Sequence, residues 1–174
     1  LVSENGEVLA DERILLQVES GQRGLRQSEA HFAHTRNLPV LMEKLAPMFR
    51  EHNLLAIGVS DRPRRLPDSY MPVFLAGLGI CRCLVSVGGY SLYLFSHQEG
   101  HIQAAACGLP LEGQNFLAVH FSGGTSEILQ VKHDNSRFNI QLIQATTDIN
   151  AGQLIDRVGV AMGLPFPAGP FMEE

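Results

Sequence analysis

The sequence predicts an α/β protein made of two related halves, and three observations carry that prediction. Strand-like and helix-like stretches alternate from the amino terminus to Pro110. Within them, Leu54 to Ser60 is a continuous apolar run, the pattern of a strand buried on both faces of a parallel sheet. After Cys107-Gly108-Leu109-Pro110 the pattern starts again as a strand meander followed by a helix. This recurrence sets a boundary near Pro110 to Gly113 and divides the chain into residues 1–111 and 112–174.

Taken in order, Leu1-Val2-Ser3 and Glu7 to Ala10 flank Asn5-Gly6, a hairpin signal, and the second strand is expected to continue through Ile14 to Val18. Ser20 to Gln27 is polar and reads as loop. Phe32, Leu38, Leu41, Leu45 and Met48 recur at helical spacing, so a helix is expected from Ser28 to Arg50, bent or interrupted at Pro39. After the strand at 54–60 comes a Pro/Arg-rich loop, Asp61 to Asp68, then an apolar helix from Ser69 to Ser86. Tyr90 to Phe95 is a strand introduced by Gly88-Gly89, and Glu99 to Ala106 begins a helix. Strands follow at Asn115 to Phe121, Glu127 to Val131 and Arg137 to Gln144, the last after a turn at His133 to Ser136. A final helix runs from Asp148 to Met162 and stops at Gly163-Leu164-Pro165.

Composition excludes several classes. Net charge is -5 with 45% hydrophobic residues, so the chain as a whole offers no electrostatic attraction to phosphate backbones. The local cluster Arg62, Arg64 and Arg65 is the exception, readable as an anion-facing loop or as a solvated turn. The 3 cysteines suit a reducing compartment, and Cys81 and Cys83 stand on opposite sides of a helix. Phe74 to Phe95 is long and apolar. It contains Arg82 and Gly77, Gly79, Gly88 and Gly89, however, so it divides into a helix and a strand, not a membrane span.

Chemistry concentrates in Ser96-His97-Gln98-Glu99-Gly100-His101. Histidines four apart on a helix share a face and reach one metal ion, and these sit at the carboxyl end of a strand, where α/β ligand sites lie. The same spacing also suits two exposed histidines. Ser122-Gly123-Gly124-Thr125-Ser126 is a turn whose backbone N–H groups form an anion nest or close a tight hairpin. Asp156 receives a ribose hydroxyl or faces solvent beside Arg157, and Gly169 marks a close approach to a ligand or a turn.

These motifs occur in one order: His97-x-Glu99-Gly100-His101, Phe121-Ser122-Gly123-Gly124, Asp148-x-x-Ala151-Gly152-x-x-x-Asp156, then Gly163-Leu164-Pro165-Phe166-Pro167-x-Gly169-Pro170. Together they resemble the TsaD family of tRNA threonylcarbamoyltransferases, long known as Gcp or O-sialoglycoprotein endopeptidase. The resemblance implies an actin/Hsp70/sugar-kinase-like (ribonuclease H-like) mixed sheet with flanking helices, and transfer of a threonylcarbamoyl group from its adenylate to an adenosine of tRNA. It implies a divalent metal, iron or zinc, on His97 and His101. It implies an adenine nucleotide (threonylcarbamoyl-adenylate, ATP or AMP) at His120, Phe121, Ser122, Gly123, Gly124, Asp156 and Gly169; it assigns no catalytic residue. Implied partners are tRNA, a TsaB-like subunit, a TsaE-like ATPase and a second copy of the chain; the implied location is the cytoplasm, away from membranes.

The family's first strand would precede Leu1, and its third metal ligand and a nucleotide-contacting asparagine would follow Glu174, so the chain is expected to be an amino-terminal fragment inactive by itself. Arg62-Pro63-Arg64-Arg65 stands where the family has a Gly-Pro-Gly loop, Thr125 replaces His or Asn, Gln153 replaces Glu and Ala168 replaces Gly. Those departures resemble a diverged Firmicutes-type paralogue. Its alternative function is non-catalytic nucleotide and metal binding as a partner subunit. The metalloprotease name fits poorly, since Glu99 lies about 200° round a helix from His97.

Overall fold

The computed structural model describes residues 1–18, 25–111, 113–134 and 137–173. The elements are α1 (Gln27–Glu51), β1 (Ala56–Arg62), α2 (Phe74–Gly88), β2 (Ser91–Ser96), α3 (His97–Ala106), β3 (Asn115–Phe121), β4 (Ser126–Asp134), β5 (Arg137–Ala145), α4 (Ala151–Ala161) and α5 (Gly169–Met172). This is a mixed α/β chain with a parallel pair, β1 with β2, and an antiparallel meander in the order β3-β4-β5. It forms two compact units, one of Leu1–Gln17 with Leu25–Gly100, the other of Val18 with the described residues from His101 onward. The expected loop 20–27 and the turn at 133–136 lie partly outside the described residues, as does residue 112 at the expected boundary.

In the first unit, Asn5-Gly6 does make a turn. Gly6 takes φ 83°, Ser3 N–H donates to Glu7 O at 2.9 Å, and Val2 bridges Val8. The strand expected at Ile14 to Val18 is absent: nothing described pairs with it, and Leu15 is 84% exposed. An extended run without a ladder is no strand. α1 runs through both Pro39 and Pro47 without interruption. Each proline deletes one donor, but the flanking turns keep theirs, so the interruption expected at Pro39 does not occur.

β1 begins two residues later than expected and takes in Asp61 and Arg62, because its ladder exists only opposite β2, from Ala56↔Ser91 to Arg62↔Ser96. Its residues are exposed or half-buried, not enclosed on both faces. α2 starts at Phe74, after Pro72, since Met71 before that proline is disfavoured in the helical region. The long apolar stretch resolves into α2 and β2, and no described helix is long and apolar enough to cross a membrane.

In the second unit, Ile102 of α3 packs with Leu129 and Val131 of β4, and Phe116, Ala118, Phe138 and Ile140 close around them. The period-2 alternation of β3 and β4 puts these residues on one face of the sheet. Leu117, Val119 and Phe121 occupy the other face of β3 and are exposed.

Candidate functional site

In the first unit a candidate group lies at the start of α3, and the sequence places that start two residues late. Ser96 Oγ accepts from Glu99 N–H at 3.2 Å while the Glu99 carboxylate accepts from Ser96 N–H at 2.6 Å and Ser96 Oγ–H at 2.8 Å. This reciprocal pair is a capping box, and the Ser-x-x-Glu signal for it is legible at positions 96 and 99. The helix therefore begins at His97, which places His97 and His101 one turn apart on α3. Glu99 is buried, and Arg65 Nε donates to both its oxygens at 2.8 and 2.9 Å while Arg65 Nη2 donates to Leu94 O at 2.7 Å. Gln98 N–H donates to Pro63 O at 3.0 Å. The Arg-rich loop is thus a clamp on the helix start. Arg62 pairs with Asp61 and Arg65 with Glu99, so two of its three arginines serve carboxylates of the chain itself.

Burial alone would raise the Glu99 carboxyl. The hydrogen bonds from Arg65 and from Ser96 outweigh it and hold the group below the usual carboxylate range. Asp61 is likewise lowered, chiefly by its hydrogen bond from Arg62. A carboxyl lowered in the folded state contributes stability above its unfolded pKa of about 4.3 and loses it as pH falls through the folded value. Glu99→Gln is therefore expected to cost about 1–2 kcal/mol at pH 7, discounted because the Arg65 side chain is 51% exposed. Urea unfolding should show the gap from wild type narrowing below about pH 4. A gap that is constant with pH would contradict the assignment.

His97 lies against the Phe74 ring, centroids 5.8 Å apart. The His101 ring faces that of His120 at 5.1 Å. Among the described residues, no three His, Cys, Asp or Glu side chains are grouped to hold a metal ion. Two imidazoles on one face of α3 fit a metal as part of a ligand set, and the set is incomplete in the described residues. Of the cysteines, all unpaired, Cys81 on α2 is pushed up by burial.

In the second unit a separate candidate group is organised by α4. His120 to Gly124 is divided by the strand: His120 faces inward, Phe121 is 66% exposed, and Ser122 to Thr125 make the β3–β4 turn. Inside that turn, Ser122 N–H donates to Thr125 O at 2.8 Å, and Gly124 and Thr125 N–H donate to Ser122 Oγ at 3.2 and 3.0 Å. Three donors of the expected nest are spent on the turn itself, so an anion would displace the Ser122 hydroxyl to reach two of them. The turn is open above its glycines, since a Cβ at Gly123 or Gly124 would meet nothing within 4 Å.

The helix start is packed against this turn. Gly152 N–H donates to Ser122 O at 3.3 Å, and Ala151 N–H donates to Ser126 Oγ at 2.7 Å. One turn further on, Asp156 Oδ1 accepts from Ala168 N–H at 2.9 Å. A Cβ on Gly169 would sit 3.9 Å from Ile155 Cγ2, so the structure brings Asp156 and Gly169 together at α4. Gly152 and Asp156 stand four residues apart on one stripe of the helix. The sequence places Ser126 in the turn and Gly152 in a motif without indicating what either touches, and singles out no role for Glu127. Ser126 and Gly152 depend on pairing across 25 or more residues, which no local signal reports.

Fold and site thus define a mixed α/β protein with a histidine pair on one helix and a serine–glycine turn backed by the start of another. Comparison with known proteins is more specific, although no family model matches the chain. It is 28% identical over 99% of its length to a tRNA N6-adenosine threonylcarbamoyltransferase of Pediococcus pentosaceus, covering 49% of that protein. It is 27% identical over 97% of its length to the protein of that name from Enterococcus faecalis, covering 47% of it. A Streptococcus pneumoniae protein of the same name is 29% identical over 99% of the chain, with 50% covered. The chain is homologous to these transferases and spans about half the length of the curated relatives it matches.

Proposed function

We propose that the chain is the corresponding half of a threonylcarbamoyltransferase-like protein that modifies adenosine in tRNA. The observation that carries the proposal is similarity, along nearly the whole of this chain, to about half the length of proteins of that name, joined to a turn, Asp156 and Gly169 gathered on α4. In this reading the two parts, 1–111 and 112–174, are portions of an actin/Hsp70/sugar-kinase-like fold. His97 and His101 take a divalent metal, iron or zinc, and the adenine nucleotide lies along His120 to Gly124, Asp156 and Gly169. A metal bound there supplies Lewis acidity toward the carbamoyl group or the leaving phosphate. The chain's own residues position the substrate: the turn presents N–H donors to phosphate oxygens, and Asp156 accepts from a ribose hydroxyl. The natural setting in this proposal is the cytoplasm, with tRNA, a TsaB-like subunit and a TsaE-like ATPase as partners.

The second reading, a nucleotide- and metal-binding partner subunit without transfer chemistry, is favoured by one observation. Where the family has a Gly-Pro-Gly loop this chain has arginines, and Arg65 is spent on the Glu99 carboxylate at the start of α3. Calorimetry with AMP and ATP is expected to show binding by the wild-type chain and at least a tenfold loss in Asp156→Ala. No heat with either nucleotide would sink both readings. Restoration of threonylcarbamoyladenosine by the gene product carrying this chain, in cells depleted of their own transferase, separates the first reading from the second.

A further inference from the structure

We infer that Arg65 is a positioning residue for His97 and His101, acting through Glu99 to fix the direction in which α3 leaves β2. The inference rests on the metal-binding reading above and adds no ligand to it. β2 ends at Ser96 and α3 begins at His97, so no linker separates strand from helix. The first backbone N–H groups of a helix have no partner within it, and the opening turn is held by groups outside it. Here Ser96 and Glu99 cap each other, and Gln98 N–H donates to Pro63 O.

Arg65 spans the junction. Its Nε donates to both Glu99 oxygens on the helix at 2.8 and 2.9 Å, and its Nη2 donates to Leu94 O on the strand at 2.7 Å. One planar guanidinium thus grips both elements, and its rigid fork sets an angle where a point charge would not. The grip is anchored in the interior, since Glu99 is 6% exposed and Ser96 1%. Glu99 stands about 200° round the helix from His97 and from His101, so α3 is held from the side away from the histidines. A capping box starts a helix without any guanidinium. What Arg65 adds is orientation. Two imidazoles one turn apart respond to it, because a binding constellation tolerates errors of only about 0.5 Å or 10–20°. Losing a residue that orients metal ligands commonly weakens binding 10- to 100-fold.

The test is Co²⁺ binding by the purified, chelator-stripped chain, read by calorimetry and visible absorption at a temperature where circular dichroism shows each variant folded. Arg65→Ala should weaken binding about tenfold and change the visible bands, which report ligand geometry and not folding. Arg65→Lys should recover only part of the loss, because an ammonium lacks the planar fork. Glu99→Gln should weaken binding as well, and adding it to Arg65→Ala should cost little more, since both remove one clamp. Should Arg65→Ala not fold, Glu99→Gln decides by the same criteria. Arg62→Ala, which breaks the neighbouring pair with Asp61, should bind Co²⁺ like wild type. Wild-type affinity and bands in Arg65→Ala would overturn the inference and leave the histidine reading standing. An equal loss in Arg62→Ala would also overturn it, by making the effect one of general stability. A wild-type chain that binds no Co²⁺ would remove the metal part of the proposed function and the inference with it.

Discussion

Gly152→Ala is expected to destabilise the second unit by about 2 kcal/mol or more, although alanine is the better helix former by about 1 kcal/mol. A Cβ at this position would lie 2.7 Å from Ser122 C, Ser122 O and Gly123 N. These are backbone atoms and cannot swing aside, so either the β3–β4 turn or the start of α4 must move. Movement breaks the Gly152 N–H to Ser122 O hydrogen bond and the Ala151 N–H to Ser126 Oγ bond beside it. Thermal unfolding checks the claim, with a fall in Tm of about 5 °C or more. Gly100→Ala is the control with the opposite sign. Its Cβ would meet nothing within 4 Å, so only the propensity gain remains and stability should rise slightly. A Gly152→Ala chain as stable as wild type would show that the turn and the helix are not in contact as described.

Gly159→Ala should be of similar severity, and it carries its own rescue. The added methyl would overlap the Cβ of Ala168, which is fully buried, and would press on Met172 Sδ at 3.3 Å. Overpacking of this kind costs about 1–3 kcal/mol, and α5 with the 164–168 segment would be driven off α4. Ala168→Gly removes the opposing methyl. Combined with Gly159→Ala it should recover most of the loss, a coupling of about 1–3 kcal/mol in a double-mutant cycle read by urea unfolding. Strict additivity of the two substitutions would refute the contact. Ala168, noted in the sequence as a departure from a glycine, is in the structure the residue that fills the space over Gly159.

Local chemistry made much of this legible. Asn115 to Phe121 is a short run of strand-forming residues, and β3 has those bounds. The Asn5-Gly6 turn and the division of the apolar stretch into α2 and β2 were likewise readable, because each depends on neighbours in sequence. What failed depends on partners. Ile14 to Val18 has strand composition and no described strand to pair with, and β1 shifted because β2 set its register. At the site, the α3 histidine spacing was legible as soon as a helix was assumed. That Ser96 and Glu99 start the helix at His97 was written in the sequence and missed. The facing of His101 and His120 joins residues 19 positions apart on different elements, and no periodicity reports it. The sequence suits the Ser122–Thr125 turn to a nest, but side-chain hydroxyls compete for the same donors, and in the folded turn Ser122 Oγ takes them.

The stripe on α4 behaves as a ruler. Helical rise is about 1.5 Å per residue, so the positions of Gly152 and Asp156 are set about 6 Å apart along the axis by backbone geometry alone. That interval separates the turn from the carboxylate that holds Ala168 N–H, and no loop contributes to it. Side chains on the outer face of α4, such as the exposed Leu154 and Val158, can change without altering the gauge. A single inserted residue between positions 152 and 156 would instead rotate Asp156 by about 100° and lengthen the interval by a quarter. The helix thus tolerates drift in composition but not in length, and its spacing can outlast low overall identity.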